Sequence, residues 1–555
     1  MAKRGEFHST AFGVMALLLV RFPAAGQTPA PNKPVAKAPP APPPLAQTVL
    51  VPERIDAVAL GRIREEAFAR SHVLETARYF TDVTGPRLTG STGLRLAQAY
   101  ARDRLKEWGL PAASLESWGP FGRGWSLEGF TINLTAPNFS PLIGYPKAWS
   151  PSTAGLLRGE PVLFDAHAAA DLERYRGKLK GRIVLLAGAR AARPLAAPQR
   201  LSDSDLLRLA NAAPPARGGP QVTAEQKAAA DLDDRKWRLL YGEGPAVVLE
   251  PGAGENGTVA VAEARTLPVQ GQTASQRVHA WDPKKAPVLP QVVLAVEHFN
   301  RLARLAASGA PLKVEVQVTT RYHDEDLKCA NVIAEIPGAD LKDEVVMLGA
   351  SLDSWHSGTG ATDNAAGAAV AMEAMRILMA TGLRPRRTLR VALWSAGEQG
   401  SLGSQAYVAA HFGKRTTGPD GVARVVPGPD HGRLAGYFNL DGGGGRIRGV
   451  YLQGNEAVRP VFRAWLAPFA DLGATTLTSA GVGDSDHVSY DAVGLPGFQF
   501  LRDFMESGGP SPTNMDVFDR LQEDDLKQSA TLAASFAFLL ANRDQKLPRK
   551  AAGTY

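Results

Sequence analysis

Residues 345–367 read VVMLGASLDSWHSGTGATDNAAG, and the fold turns on them. The opening VVMLGA is a short, continuous apolar run, as in a strand buried on both faces. Small and polar residues follow, with Gly358 and Gly360 marking a loop. From Asn364 the apolar residues recur at helical spacing up to Gly382, which predicts a helix over 364–381. Strand, loop and helix in this order put Asp353 and Asp363 beyond the carboxyl end of a strand, where open α/β sheets bind their ligands. Such a loop suits a metal ion held through a carboxylate. Ser351, however, stands at the strand's end, where a metal centre of mixed ligands would want an imidazole.

The same alternation continues downstream. Strands are expected at NVIAEIPG (331–338), TLRVALWSA (388–396), LAGYFNLDG (434–442), GVYLQG (449–454) and GFQFLRD (497–503), with helices near 401–412, at 456–470 and at 523–543. This specifies an α/β sandwich around a mixed, largely parallel central sheet. Glu398 and Asp441 join Asp353 and Asp363 at strand edges. Upstream, residues 62–83 and 91–110 have helical periodicity, with Thr92 capping the second helix and Gly109 ending it. TGPRLTGS (84–91) between them is a turn cluster.

Residues 121–322 change character. GRIVLLAG (181–188), GPAVVLEPG (244–252) and LKVEVQVTTRYH (312–323) are strand-like runs among Gly/Pro turns. VVLAVEHFNRLARLAASG (292–309) reads as a helix, and 195–236 as an irregular excursion. A β-rich insert is expected here, dividing a larger domain into 49–120 and 323–545, with a tail at 546–555.

The chain has 555 residues, too many for one ordinary core. Its 62 Lys and Arg exceed its 55 Asp and Glu by seven, but they are scattered, and no nucleic-acid signature accompanies them. The single cysteine, Cys329, forbids an internal disulfide and a cysteine-based zinc cluster, and its neighbours suit a core position. At the N-terminus a basic start, the apolar run AFGVMALLLV (11–20) and small residues before Gln27 predict a signal peptide over 1–26. A Pro/Ala-rich linker over 27–48 follows. The expected location is secreted or periplasmic, with an N-terminal membrane anchor if the segment is retained.

A peptidase without a Ser or Cys nucleophile needs a metal to make hydroxide at neutral pH, and two ions can share one water and one bridging carboxylate. A separate carboxylate must take the water's proton. GASLDSWHSGTGATDNAAGAAVAMEAMRIL (349–378), LWSAGEQGSLGSQAYV (393–408), FNLDGGGGRIRGVYLQGN (438–455), SDHVSYDAVGLPGFQFLRD (485–503) and PTNMDVFDRLQEDDLKQ (512–528) resemble, in order, the motifs of the co-catalytic di-zinc exopeptidases, in their carboxypeptidase Q-like subgroup. The likeness covers about 50–120 and 325–545, and it implies a zinc-exopeptidase sandwich with a protease-associated insert.

The resemblance places the bridging metal ligand on Asp363, a second ligand on Asp441 and the general base on Glu398. The three other ligand positions fall on Ser351, Gln399 and Pro512, where the family has His, Glu and His. One ion would keep two carboxylates without an imidazole. The other would have Asp363, a neutral amide and a proline without a side-chain donor. Asp353 matches the family residue that orients the missing histidine. His356 and His487 are read as substrate-binding residues, His411 and His431 as surface residues, and Asp516 and Asp519 as braces before the last helix. An all-oxygen set of Asp363, Asp441, Ser351 and Gln399 would suit Mg²⁺ or Ca²⁺. A Ser351 nucleophile would need a base in reach, and no nucleophile elbow surrounds it.

The family includes members that have lost catalysis, so the expected function is a pseudopeptidase binding peptides or a protein partner, with zinc weak, single or absent. The alternative is an active exopeptidase or dipeptidase with a rebuilt or single-metal site. Self-association into a homodimer is a further expectation.

Overall fold

The computed structural model describes residues 53–550, apart from 194–198, 215–221, 270, 273–275, 283–286, 420 and 506–512. The signal segment, the linker and Pro512 lie outside the described residues. No helix among the described residues is long and apolar enough to cross a membrane.

An eight-stranded mixed sheet organises the larger part. In spatial order its strands are Ser114–Trp118, Cys329–Ile336, Arg387–Trp394, Leu341–Ser351, Leu434–Asn439, Gly497–Arg502, Ile447–Tyr451 and Thr476–Thr478. The central four run parallel, and most of their residues are buried, as in strands covered on both faces. Helices Ala366–Ala380 and Glu523–Asn542 pack on one side, in a core that includes Val346, Leu348, Val391, Phe438 and Phe500. Gly367 lets the first of these helices approach closely: a Cβ there would lie 2.2 Å from the Leu440 carbonyl. A turn at Ala361–Ala365 precedes that helix, so it begins two residues later than expected.

Register carries the site. Ser351 pairs with Trp394, and Gly349 with Asn439. Asp441, two residues past Asn439, is therefore level with Ser351. The carboxyl ends of three neighbouring strands thus bring Ser351, Glu398 and Asp441 to one edge.

The chain leaves this sheet at Trp118 and re-enters it at Cys329. Between lie a four-stranded sheet (Ser140–Pro141, Gly124–Ala136, Lys313–His323, Leu157–Gly159) and a five-stranded one (Gly144–Pro146, Gln291–Leu294, Val247–Pro251, Ile183–Leu185, Val162–Leu163). Four strands of the second run parallel, Gln291–Leu294 being parallel to Val247–Pro251. The helix expected over 292–309 is therefore shorter, Val296–Ser308, because its apolar start VVL is spent on a buried strand.

The described residues of the excursion at 195–236 are largely helical rather than irregular. The excursion holds helix Asp203–Ala210 and most of helix Ala224–Glu243, each opened by a capping box, Ser202 with Asp205 and Thr223 with Gln226. Upstream, the cap of helix Thr92–Glu107 is Ser91, not Thr92: its hydroxyl accepts the Leu94 N–H at 3.2 Å. The segment 62–83 is likewise broken, into Ala57–Ala69 and a second helical stretch beginning at Val73.

Candidate functional site

Ser351 is 2 % exposed, and its hydroxyl donates to Asp486 Oδ2 at 2.8 Å. Gly397 makes room for this, since a Cβ there would lie 2.1 Å from Ser351 Oγ. Asp486 is fully buried, and burial, with the charges of Asp441 and Asp353, pushes its carboxyl up to about 7 against the effect of its hydroxyl partners. Its other oxygen, Oδ1, has no hydrogen-bond partner among the described residues. Asp486 is thus a carboxylate in reach of Ser351 that the sequence did not reveal. The hydroxyl itself is enclosed.

Asp353, fully buried, is held by three donors: the Gly397 N–H at 2.9 Å, the Glu398 N–H at 3.2 Å and the Thr89 hydroxyl at 3.0 Å. Burial still dominates, lifting its carboxyl to about 6. In place of a histidine, Asp353 orients the backbone turn that carries Glu398 and Gln399. Glu398 Oε1 accepts from Asn364 Nδ2 at 3.0 Å, which ties the residue expected to be the general base to the loop bearing Asp363. Both side-chain amide atoms of Gln399 are buried without a partner among the described residues.

Asp441 ends a polar chain. Trp394 Nε1 donates to Tyr437 OH at 2.8 Å, and Tyr437 OH to Asn439 Oδ1 at 2.6 Å. Asn439 Nδ2 donates to Ser485 Oγ at 2.7 Å, and the Ser485 hydroxyl donates in turn to Asp441 Oδ2. Asp441 Oδ1 accepts its neighbour Gly442's N–H at 2.8 Å. Two of the carboxylates at this edge, Asp441 and Asp486, therefore accept hydrogen bonds from serine hydroxyls.

Asp516 was expected to brace the last helix. Instead it turns inward and grips the site loop, accepting the Thr362 N–H and hydroxyl, both at 2.7 Å, and the Asp363 N–H at 3.2 Å. Burial raises its carboxyl. Behind the loop lies Arg87, fully buried, from the segment read as a turn cluster. Its guanidinium donates to the carbonyls of Leu352, Phe80, Thr359, Gly85 and Gly360. Burial brings it down to about 10, against the opposing pull of Asp516, Asp353, Glu398 and Asp363. A lone arginine in a Gly/Pro turn carries no sequence signal for this role.

The two histidines expected to bind substrate are enclosed. His356 is 8 % exposed, and its Nε2 pairs with the Pro146 carbonyl at 2.8 Å while its ring meets Trp125 edge-on. That bond joins the site loop to the inserted segment. His487 is fully buried, with Nε2 against the Val482 carbonyl at 3.1 Å and the Gln453 amide. Burial pushes both imidazoles down to about 4, so both are neutral braces at neutral pH. His411, expected at the surface, pairs with Glu116 at 2.7 Å, and His431 donates from Nε2 to the Val493 carbonyl at 3.0 Å and accepts at Nδ1 from Arg549 at 3.1 Å.

The insert also holds the segment on either side of 506–512. Leu201 N–H donates to Asp503 Oδ1 at 2.9 Å, Arg200 reaches Asp503 at 3.2 Å, and Gln199 bridges to Phe504. On the far side Ala260 bridges to Thr513, and Asn514 Oδ1 accepts the Val259 N–H at 2.7 Å.

Residues 331–537 match peptidase family M28. Carboxypeptidase Q of Mus musculus is 28 % identical over 270 residues, 47 % of this chain and 52 % of the relative. The Homo sapiens protein of that name is 28 % identical over 273 residues, with the same coverage. Leupeptin-inactivating enzyme 1 of Streptomyces exfoliatus is 31 % identical over 168 residues, 30 % of this chain and 34 % of that protein. The chain spans about half the length of the carboxypeptidases Q it matches. A peptidase M28 precursor from Shewanella amazonensis superimposes with a TM-score of 0.60 at 19 % identity, over 89 % of this chain and 98 % of that one. A zinc aminopeptidase from Bacillus subtilis does so with 0.51 at 16 % identity, over 86 % and 98 %. These two show that the fold is shared.

Proposed function

Given that residues 331–537 are a peptidase family M28 domain, we propose that the chain is an exported, carboxypeptidase Q-like pseudopeptidase that binds peptides or a protein partner in the inherited cleft. The observation that carries this reading is the Ser351–Asp486 bond. An imidazole ligand's position is occupied by a hydroxyl whose proton is committed to a buried carboxylate. Gln399 offers a neutral amide where an anionic oxygen would be needed. Both oxygens of Asp441 already accept hydrogen bonds. Among the described residues no three His, Cys, Asp or Glu side chains are arranged to hold a metal ion. Zinc wants tetrahedral nitrogen, sulfur and carboxylate donors, and this set does not fit a zinc pair. It fits a Mg²⁺ or Ca²⁺ cage little better, since the Ser351 oxygen is turned to Asp486. No hydrolytic step is therefore assigned to the site.

The second reading, an active exopeptidase on a rebuilt or single-metal site, is favoured by one arrangement. Asp363, Glu398 and Asp441 all persist, partly open, at one edge of the sheet. Elemental analysis of purified protein dialysed against zinc separates the two. Fewer than two zinc ions per chain are expected, with dipeptide and aminoacyl-anilide hydrolysis absent or orders of magnitude below a metal-replete relative. Two tightly held zincs, or a robust rate that disappears in Glu398→Gln, would replace the first reading by the second.

A further inference from the structure

Gln399 lies in a turn whose backbone is fixed from two sides. Asp353 takes the N–H groups of Gly397 and Glu398, while the Gly397 carbonyl accepts the N–H groups of Gly400 and Ser401, both at 3.0 Å. The side chain projecting from this turn is a primary amide, with donors on Nε2 and an acceptor at Oε1. Both atoms are buried, and neither has a partner among the described residues. Unpaired buried polar atoms are costly, and here the donor and the acceptor of one group are unpaired together.

The chemistry of the missing complement follows. A cation would satisfy Oε1 and leave the amide N–H groups bare. An anion would do the reverse. A group that presents one carbonyl and one N–H side by side satisfies both, and the peptide bond is such a group. Glu398 beside it is tied to Asn364, so the Gln399 amide keeps its own orientation.

We propose that Gln399 is a ligand-binding residue that recognises an uncharged peptide group, donating from Nε2 to its carbonyl and accepting at Oε1 from its N–H. The position that carries a metal ligand in the resembling family is thereby a peptide-reading position. This rests on the peptide-binding reading of the cleft and sharpens it to backbone recognition at one residue.

The test uses the full chain, trialanine, and its two depsipeptide analogues, each with one amide N–H replaced by an ester oxygen. Binding is followed calorimetrically. On the wild type, one ester should bind at least about tenfold more weakly than trialanine, because it leaves Oε1 unmet. In Gln399→Met, trialanine should weaken by a similar factor and the difference between amide and ester should vanish. Gln399→Met binding trialanine as tightly as the wild type, or neither ester losing affinity on the wild type, overturns the assignment and leaves peptide binding standing. No binding of any of the three peptides to the wild type overturns both. Thermal melts establish that the variant is folded, and if it is not, the ester comparison on the wild type decides.

Discussion

Arg87→Lys is the perturbation that most directly tests how the site loop is held. The substitution keeps a positive charge behind Asp353, Asp363, Glu398 and Asp516, and keeps the burden of burying it. What it removes is the planar fork. Arg87 reaches the Leu352 carbonyl through Nε at 2.7 Å, the Thr359 carbonyl through one terminal nitrogen at 2.7 Å and the Gly360 carbonyl through the other at 2.7 Å. A single ammonium cannot occupy both ends of that span. Two of the five carbonyls have a second donor, Phe80 from the Thr84 hydroxyl at 2.6 Å and Gly360 from the Ala365 N–H at 3.0 Å. Among the described residues the carbonyls of Leu352 and Thr359 have none. One or both lose their partner, and each buried orphan costs about 1–3 kcal/mol, so the variant should be destabilised by about 1–6 kcal/mol. The assay is a urea titration, with hydrogen exchange of the Ser354 and Ala365 amides reporting on the loop, since a chain this large need not unfold in two states. A midpoint shift worth less than about 0.5 kcal/mol, with unchanged protection at both amides, would refute the idea that Arg87 is the loop's anchor.

Two further outcomes are expected beyond the metal and peptide tests above. His411 is raised from 6.5, chiefly by its hydrogen bond to Glu116, with Asp430 adding to the effect and burial and Arg390 opposing it. That contribution is fully present below the unfolded value and lost as pH rises through the higher folded value. The stability gap between wild type and Glu116→Gln should thus be widest below pH 6.5 and close above it, and a gap independent of pH in thermal melts would contradict this. Asp503, fully buried, holds the Leu201 N–H, Arg200 and Arg448. Because Arg200 is half exposed, Asp503→Ala should cost about 2–3 kcal/mol, below the full penalty of breaking a buried pair. It should also expose the stretch around Gln199–Ala210 to limited proteolysis, and a cleavage pattern like the wild type's would argue against that docking.

Local signals carried far in this chain. Continuous apolar runs such as VVMLGA and the helical spacing after Asn364 specify their elements through neighbours a few residues away, so strands, helices and the parallel order could be read directly. The same holds for the family motifs. Where the reading erred locally, a local signal was present but weaker. The boxes at Ser202–Asp205 and Thr223–Gln226 mark helix starts within what looked irregular, and Ser91 caps one residue before Thr92.

The partners of the site residues lie elsewhere. Ser351 meets Asp486 across 135 positions, Thr362 meets Asp516 across 154, His356 meets Pro146 across 210, and Arg87 meets Leu352 across 265. A residue type states what hydrogen bonds a side chain can make, but only chain packing decides which donor faces which acceptor. That is why the residue types at the expected ligand positions could be read in the sequence. It took the tertiary structure to bring a serine to Asp486, a second serine to Asp441 and Arg87 beneath the loop, because an unpaired buried polar group is costly and the fold alone determines which partner is near.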